Sequence, residues 1–143
     1  MIKMENDNKG NVILALHQES ILTACEGICK MGGYGVNVYE GDAPEGILEL
    51  YKKIKPNFLF MDLNFKEYIP TVEPAEIVYD GLKEDVKKGL VCYLGISGNT
   101  IIKEARKKGI PAMSNTQFIE SLIKILNKKS LQGILETEDV KIE

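Results

Sequence analysis

The feature that most constrains this chain is the alternation of short apolar runs with amphipathic helical stretches. Val12–Leu16 (VILAL), Phe58–Met61 (FLFM) and Leu90–Ile96 (LVCYLGI) are apolar almost throughout. A strand covered on one face alternates polar and apolar residues, whereas a continuous apolar run needs cover on both faces. Val36–Tyr39 (VNVY) and Ile110–Met113 read as two further, shorter strands. Between the runs the spacing becomes helical. Ile21, Ala24, Cys25, Ile28 and Cys29 share one face, and Gly32–Gly33 ends that helix. Pro44 opens a second, with Ile47, Leu50, Tyr51 and Ile54 inward and Pro56 as its stop. Ala75, Val78, Tyr79, Leu82 and Val86 form the stripe of a third helix, running from Glu73–Pro74 to Gly89. Ile101, Ile102 and Ala105 mark a short fourth helix ending at Lys107–Lys108–Gly109. Ser114–x–x–Gln117 has the form of a capping box and opens a fifth, with Phe118, Ile119, Leu122, Ile125 and Leu126 inward.

Five strands and five helices in alternation predict an α/β domain, a parallel sheet with helices on both faces in a doubly wound three-layer sandwich. The domain is expected over residues 12–128, after a polar arm at 1–11 and before a mixed tail at 129–143. A chain of 143 residues, 44% hydrophobic and 27% charged, suits one domain with one core. With 18 basic and 21 acidic residues the net charge is −3, which argues against a non-specific nucleic-acid binder. No run reaches the roughly 18 apolar residues needed to span a bilayer. Met1–Asn11 lacks the apolar segment of a signal peptide, so no membrane partner and a cytoplasmic location are expected. The three cysteines lack CxxC spacing and make a poor disulfide or zinc frame. Cys25 and Cys29, four apart, are expected as buried core thiols.

In open parallel sheets ligands bind beyond the carboxyl ends of the strands. The residues there are His17, Gln18 and Glu19 after strand one; Glu40 after two; Asp62, Leu63 and Asn64 after three; Ser97, Gly98 and Asn99 after four; and Ser114 and Asn115 after five. Asp62 stands out as an acid that ends a wholly apolar strand. His17, the sole histidine, reads as a base, ligand or proton switch, or as a hydrogen-bonded loop residue. Lys103, Arg106, Lys107 and Lys108 read as a solvated face that complements a helix C-terminus.

On these residues the chain resembles the receiver domains of two-component response regulators, over about residues 12 to 128. Lys55–Pro56–Asn57–Phe58–Leu59–Phe60–Met61–Asp62–Leu63–Asn64 is similar to the stretch ending in the phosphoacceptor aspartate. Leu94–Gly95–Ile96–Ser97–Gly98 is similar to the fourth strand ending in a hydroxyl residue that contacts the phosphoryl group. The resemblance implies strand order 2-1-3-4-5, Asp62 as phosphoacceptor, Ser97 as responding hydroxyl, and His17, Gln18, Asn64, Gly98 and Asn115 around a phosphate pocket. It also implies a weak magnesium site built from Glu19, Asp62 and Asn64, the last through its carbonyl. The chain departs from the pattern at several points. His17–Gln18 stands where an acidic pair is usual, Asn115 where a lysine is, and Ala112 or Met113 where an aromatic switch is. The connection after Asp62 is longer, with Tyr68 and Pro70 placed to cover the site.

These departures point to an atypical or pseudo-receiver, a binding module rather than an enzyme. Its partners are expected to be proteins: a histidine kinase, a downstream effector, or a second copy met through the last two helices and fifth strand. Two alternatives stand beside it. One is a working phosphoacceptor receiver. The other is a flavodoxin-like small-ligand domain, suggested by the string Ser97–Gly98–Asn99–Thr100, although flavodoxins carry their phosphate loop after strand one, where this chain has His17–Gln18–Glu19–Ser20.

Overall fold

The computed structural model describes residues 9–67, 69–98 and 101–128. Ten elements alternate: β1 (Asn11–Ala15), α1 (Glu19–Met31), β2 (Gly35–Val38), α2 (Pro44–Ile54), β3 (Phe58–Asp62), α3 (Glu73–Lys87), β4 (Cys92–Ser97), α4 (Ile101–Lys107), β5 (Ala112–Ser114) and α5 (Asn115–Lys128). All pairings are parallel, and the strands lie in the order β2-β1-β3-β4-β5. The expected class, element count and strand order are all observed.

Successive strand side chains point to opposite faces, so each strand feeds two cores. Ile13, Ala15, Leu59, Met61, Tyr93 and Ala112 pack with Ile47 of α2, with Ala75, Val78 and Leu82 of α3, and with α4. Val12, Leu14, Phe58, Phe60, Leu94, Ile96 and Met113 pack with Cys25 and Cys29 of α1 and with Phe118, Leu122, Ile125 and Leu126 of α5. The phenyl rings of Phe60 and Phe118 meet edge-on with centroids 5.0 Å apart. Burying each such ring contributes about 1.5–3 kcal/mol relative to exposure. Burial pushes the Cys25 thiol far above its usual range and that of Cys29 up to about 11, so both are core hydrophobes rather than nucleophiles.

The strand ends differ from the sequence expectation by one or two residues. β1 begins at Asn11 and its ladder stops at Ala15, although Leu16 is still buried. Asn11, the last residue of the stretch assigned to the arm, already pairs with Gly35 in the ladder, and Lys9 before it donates to the Gly33 carbonyl at 2.8 Å. β4 starts at Cys92, because Leu90 is exposed beside Gly89, whose φ of 75° turns the chain out of α3. Residues 1–8, Tyr68, Asn99, Thr100 and the tail from 129 lie outside the described residues.

Two features fix the frame beneath the carboxyl ends. Gly95 lies in the sheet directly against the Leu63 side chain, so a side chain added there would push Leu63, the residue that follows Asp62, out of its seat. The connection after β3 is anchored as well: Leu63, Phe65 and Val72 are buried in the core on the α2/α3 side. Between them Asn64 and Glu67 form a turn in which the Asn64 carbonyl accepts the Glu67 N–H at 2.7 Å.

Candidate functional site at the carboxyl edge of the sheet

Asp62 closes β3 after four fully buried residues and pairs in register with Ile96 of β4. On its other side Ala15 of β1 is in register with Met61, so the chain leaving β1 runs past Asp62. That places His17 against the carboxylate. The His17 backbone N–H donates to Asp62 Oδ2 at 2.7 Å, and His17 Nδ1 stands 2.6 Å from the same oxygen. At that separation the two atoms share a hydrogen bond, and while Asp62 is ionised Nδ1 is the donor. The two side chains differ in access: that of Asp62 is 12% exposed and that of His17 43%.

Removing a carboxylate from water is costly unless donors replace the lost hydration. Burial raises the Asp62 carboxyl above its ordinary range, and the His17 N–H, charge and ring contact pull it part of the way back. The arrangement is a carboxylate–imidazole pair in which the carboxylate is held inside and the ring faces out.

The β4 and β5 side of the same edge is built differently. Ser97 ends β4, buried, and lies in register with Ser114 of β5. Ser114 Oγ accepts the Gln117 N–H at 3.1 Å and caps α5. The Gln117 side chain turns along the helix, where its Nε2 donates to Ser121 Oγ at 2.9 Å. Asn115 Nδ2 reaches Gln18 Oε1 at 3.5 Å, at the outer limit of a hydrogen bond. Gly98 passes close to the same amide, since a Cβ there would lie 3.1 Å from Asn115 Nδ2. Gln18, Gly98 and Asn115 are thus brought together, as are His17 and Asp62.

The expected magnesium ligands have these surroundings. Glu19 is exposed at the start of α1, and the Asn64 carbonyl closes the turn with Glu67. Asp62 Oδ2 is engaged twice by His17. Among the described residues no group of three or more His, Cys, Asp or Glu side chains comes together in a metal-binding arrangement. Magnesium takes octahedral oxygen coordination, usually anchored by one or two carboxylates, so a cation here would compete with His17 for Asp62. The cations nearby in sequence are engaged too. Lys108 pairs with Glu76 at 3.8 Å, while Lys66 faces Asp42 at 3.8 Å and lies 5.7 Å from the Phe65 ring centroid. Away from this edge, exposed Met31 and Ile123 flank a groove of about 250 Å³ between α1 and α5, lined also by Ile28, Tyr34 and Leu126.

No protein-family model and no curated protein matches the chain. Solved structures do. One is the RcsB response regulator of Salmonella typhimurium, at 14% identity and a TM-score of 0.59, matched over 84% of this chain. Another is a LuxR-family two-component response regulator from Aurantimonas sp. SI85-9A1, at 15% identity and a TM-score of 0.54, with 82% of each chain covered. The fold is that of response-regulator receivers. At these identities the fold is what is shared, and the chain spans only 59% of the RcsB chain.

Sequence reasoning named both His17 and Asp62 but did not join them. The signal was available. In the order 2-1-3 the first and third strands are neighbours, so an acid ending the third and a histidine just beyond the first are brought side by side. The burial of Leu63, Phe65 and Val72 was also missed, because a connection containing Pro70 reads as open loop.

Proposed function

We propose that this chain is an atypical receiver-type signalling module that acts through contacts with protein partners, in which Asp62 serves to hold His17 rather than to accept a phosphoryl group. The carrying observation is the double engagement of Asp62 Oδ2 by the His17 N–H and Nδ1, in a side chain 12% exposed. A carboxylate acts as a phosphoryl acceptor when an oxygen is open to the donor and cations neutralise the charge that develops. Here one oxygen is occupied by His17, and an asparagine stands where the resemblance expects a lysine. The receiver fold shared with response regulators supports a signalling role, and exposed Met31 and Ile123 supply apolar surface of the kind protein partners cover.

The test is incubation of the full chain with acetyl phosphate and magnesium, followed by intact mass with and without hydroxylamine, beside an Asp62→Asn control. Hydroxylamine cleaves an acyl phosphate. The expected result is no hydroxylamine-labile phosphoryl group on the wild type. A labile group that the Asp62→Asn variant lacks would restore Asp62 as a working acceptor and overturn the reading.

A further inference from the structure

We propose that His17 Nε2 is a phosphoryl-accepting nucleophile, with Asp62 as its positioning residue. This inference rests on the reading of Asp62 given above and assigns the site a chemistry of its own. Three observations carry it. The Asp62 carboxylate lies 2.6 Å from His17 Nδ1, which fixes the proton of the neutral ring on that nitrogen and leaves the lone pair on Nε2. The imidazole is 43% exposed while the carboxylate is 12% exposed, so an incoming donor meets the ring first. Gln18, the residue after His17, meets Asn115 amide to amide at 3.5 Å, so this side of the edge carries neutral donors that do not compete for the phosphorus.

The donor class is a phosphoryl group activated on nitrogen, such as a phosphoramidate or an N-phosphorylated imidazole of another protein. With phosphoramidate the step balances as follows. The Nε2 lone pair forms the new N–P bond, the donor's P–N bond breaks, and its electron pair leaves with ammonia. The ring gains a positive charge, which stays on an imidazole whose Nδ1–H faces the Asp62 carboxylate. The carboxylate therefore stabilises charge as it develops, the role an acid plays behind a nucleophilic or basic histidine. No metal and no external base enters the step.

The experiment uses the full chain with phosphoramidate, read by intact mass and by the stability of the label. An N–P bond to histidine is acid-labile and base-stable, whereas an acyl phosphate is cleaved by base and by hydroxylamine. The expected result is one acid-labile, base-stable phosphoryl group on the wild type and none on His17→Asn, whose side-chain amide still donates toward Asp62. His17→Gln serves as the second variant should the first melt early. In Asp62→Asn the label should keep the same chemistry while the maximal labelling rate falls about tenfold, as for loss of a carboxylate behind a functional histidine. The donor concentration for half-maximal rate should stay unchanged, a split that a purely structural role would not produce. No label on folded wild-type protein would overturn this inference and leave the protein-contact reading standing. A hydroxylamine-labile label that persists in His17→Asn and is lost in Asp62→Asn would overturn both.

Discussion

The two halves of the carboxyl edge show how one scaffold sets two kinds of polar chemistry side by side. Between β1 and β3 a buried carboxylate takes two short contacts from one residue, at 2.7 and 2.6 Å. Between β4 and β5 the described residues present hydroxyls and amides: Ser97 opposite Ser114, a capping bond of 3.1 Å and an amide pair at 3.5 Å. The first half is built around a charge that the protein must solvate itself, whereas the second holds neutral polar groups, the Ser97 hydroxyl among them buried. Substitutions in the two halves should therefore differ in size and in pH dependence.

The largest expected effect comes from removing the support under the first half. Leu63 is fully buried, follows Asp62 and seats over Gly95. Leu63→Ala should cost about 3 kcal/mol of unfolding free energy, within the usual range for a buried leucine. A urea melt checks this, and a loss below about 1 kcal/mol would show that the connection is not anchored as described.

A smaller effect with a distinctive pH signature is expected at Asp62. Burial raises its folded-state pKa above the ordinary value of 3.8, so the folded protein binds this proton more tightly than the unfolded chain does. Its ionisation therefore opposes folding at pH above the folded value, and that penalty is relieved as the pH falls through the folded value towards the unfolded one. Asp62→Asn lacks the penalty. It should equal or exceed the wild type in stability near neutral pH, and the advantage should shrink on acidification. Melts across a pH series would contradict this if the variant were less stable at neutral pH and the gap closed in acid.

The smallest effect belongs to the second half. Asn115→Ala removes an exposed contact at the limit of hydrogen bonding and should change stability by less than about 0.5 kcal/mol at any pH. A larger or pH-dependent loss would show the two halves to be coupled.

Much of this molecule can be read in its sequence, for a physical reason. A doubly covered strand must be apolar throughout, and Phe58–Met61 and Val12–Leu16 carry that demand openly. Gly32–Gly33, Pro44 and Ser114 likewise announce where helices stop and start. Boundaries are harder, because burial and hydrogen bonding end at different residues: Leu16 is buried but outside the ladder, while Leu90 is apolar yet exposed. The site is legible only in part. Asp62 is conspicuous as the acid closing an apolar run. Its partner depends on which strands are neighbours and in what register, information no local pattern holds. A resemblance that looks for carboxylates, a lysine and a metal also directs attention away from a histidine in their place. The cap at Gln117 teaches the same lesson, since the motif fits the sequence while the Gln117 amide also donates to Ser121, a contact the motif does not announce.

The central claim is that Asp62 holds the ring of His17 through Nδ1. Because His17 is the only histidine, nitrogen-15 NMR of the imidazole reads it without overlap. The neutral ring should show Nδ1 protonated, with a downfield, exchange-protected proton, and both features should vanish in Asp62→Asn. A ring protonated on Nε2, with a spectrum that Asp62→Asn leaves unchanged, would contradict the account.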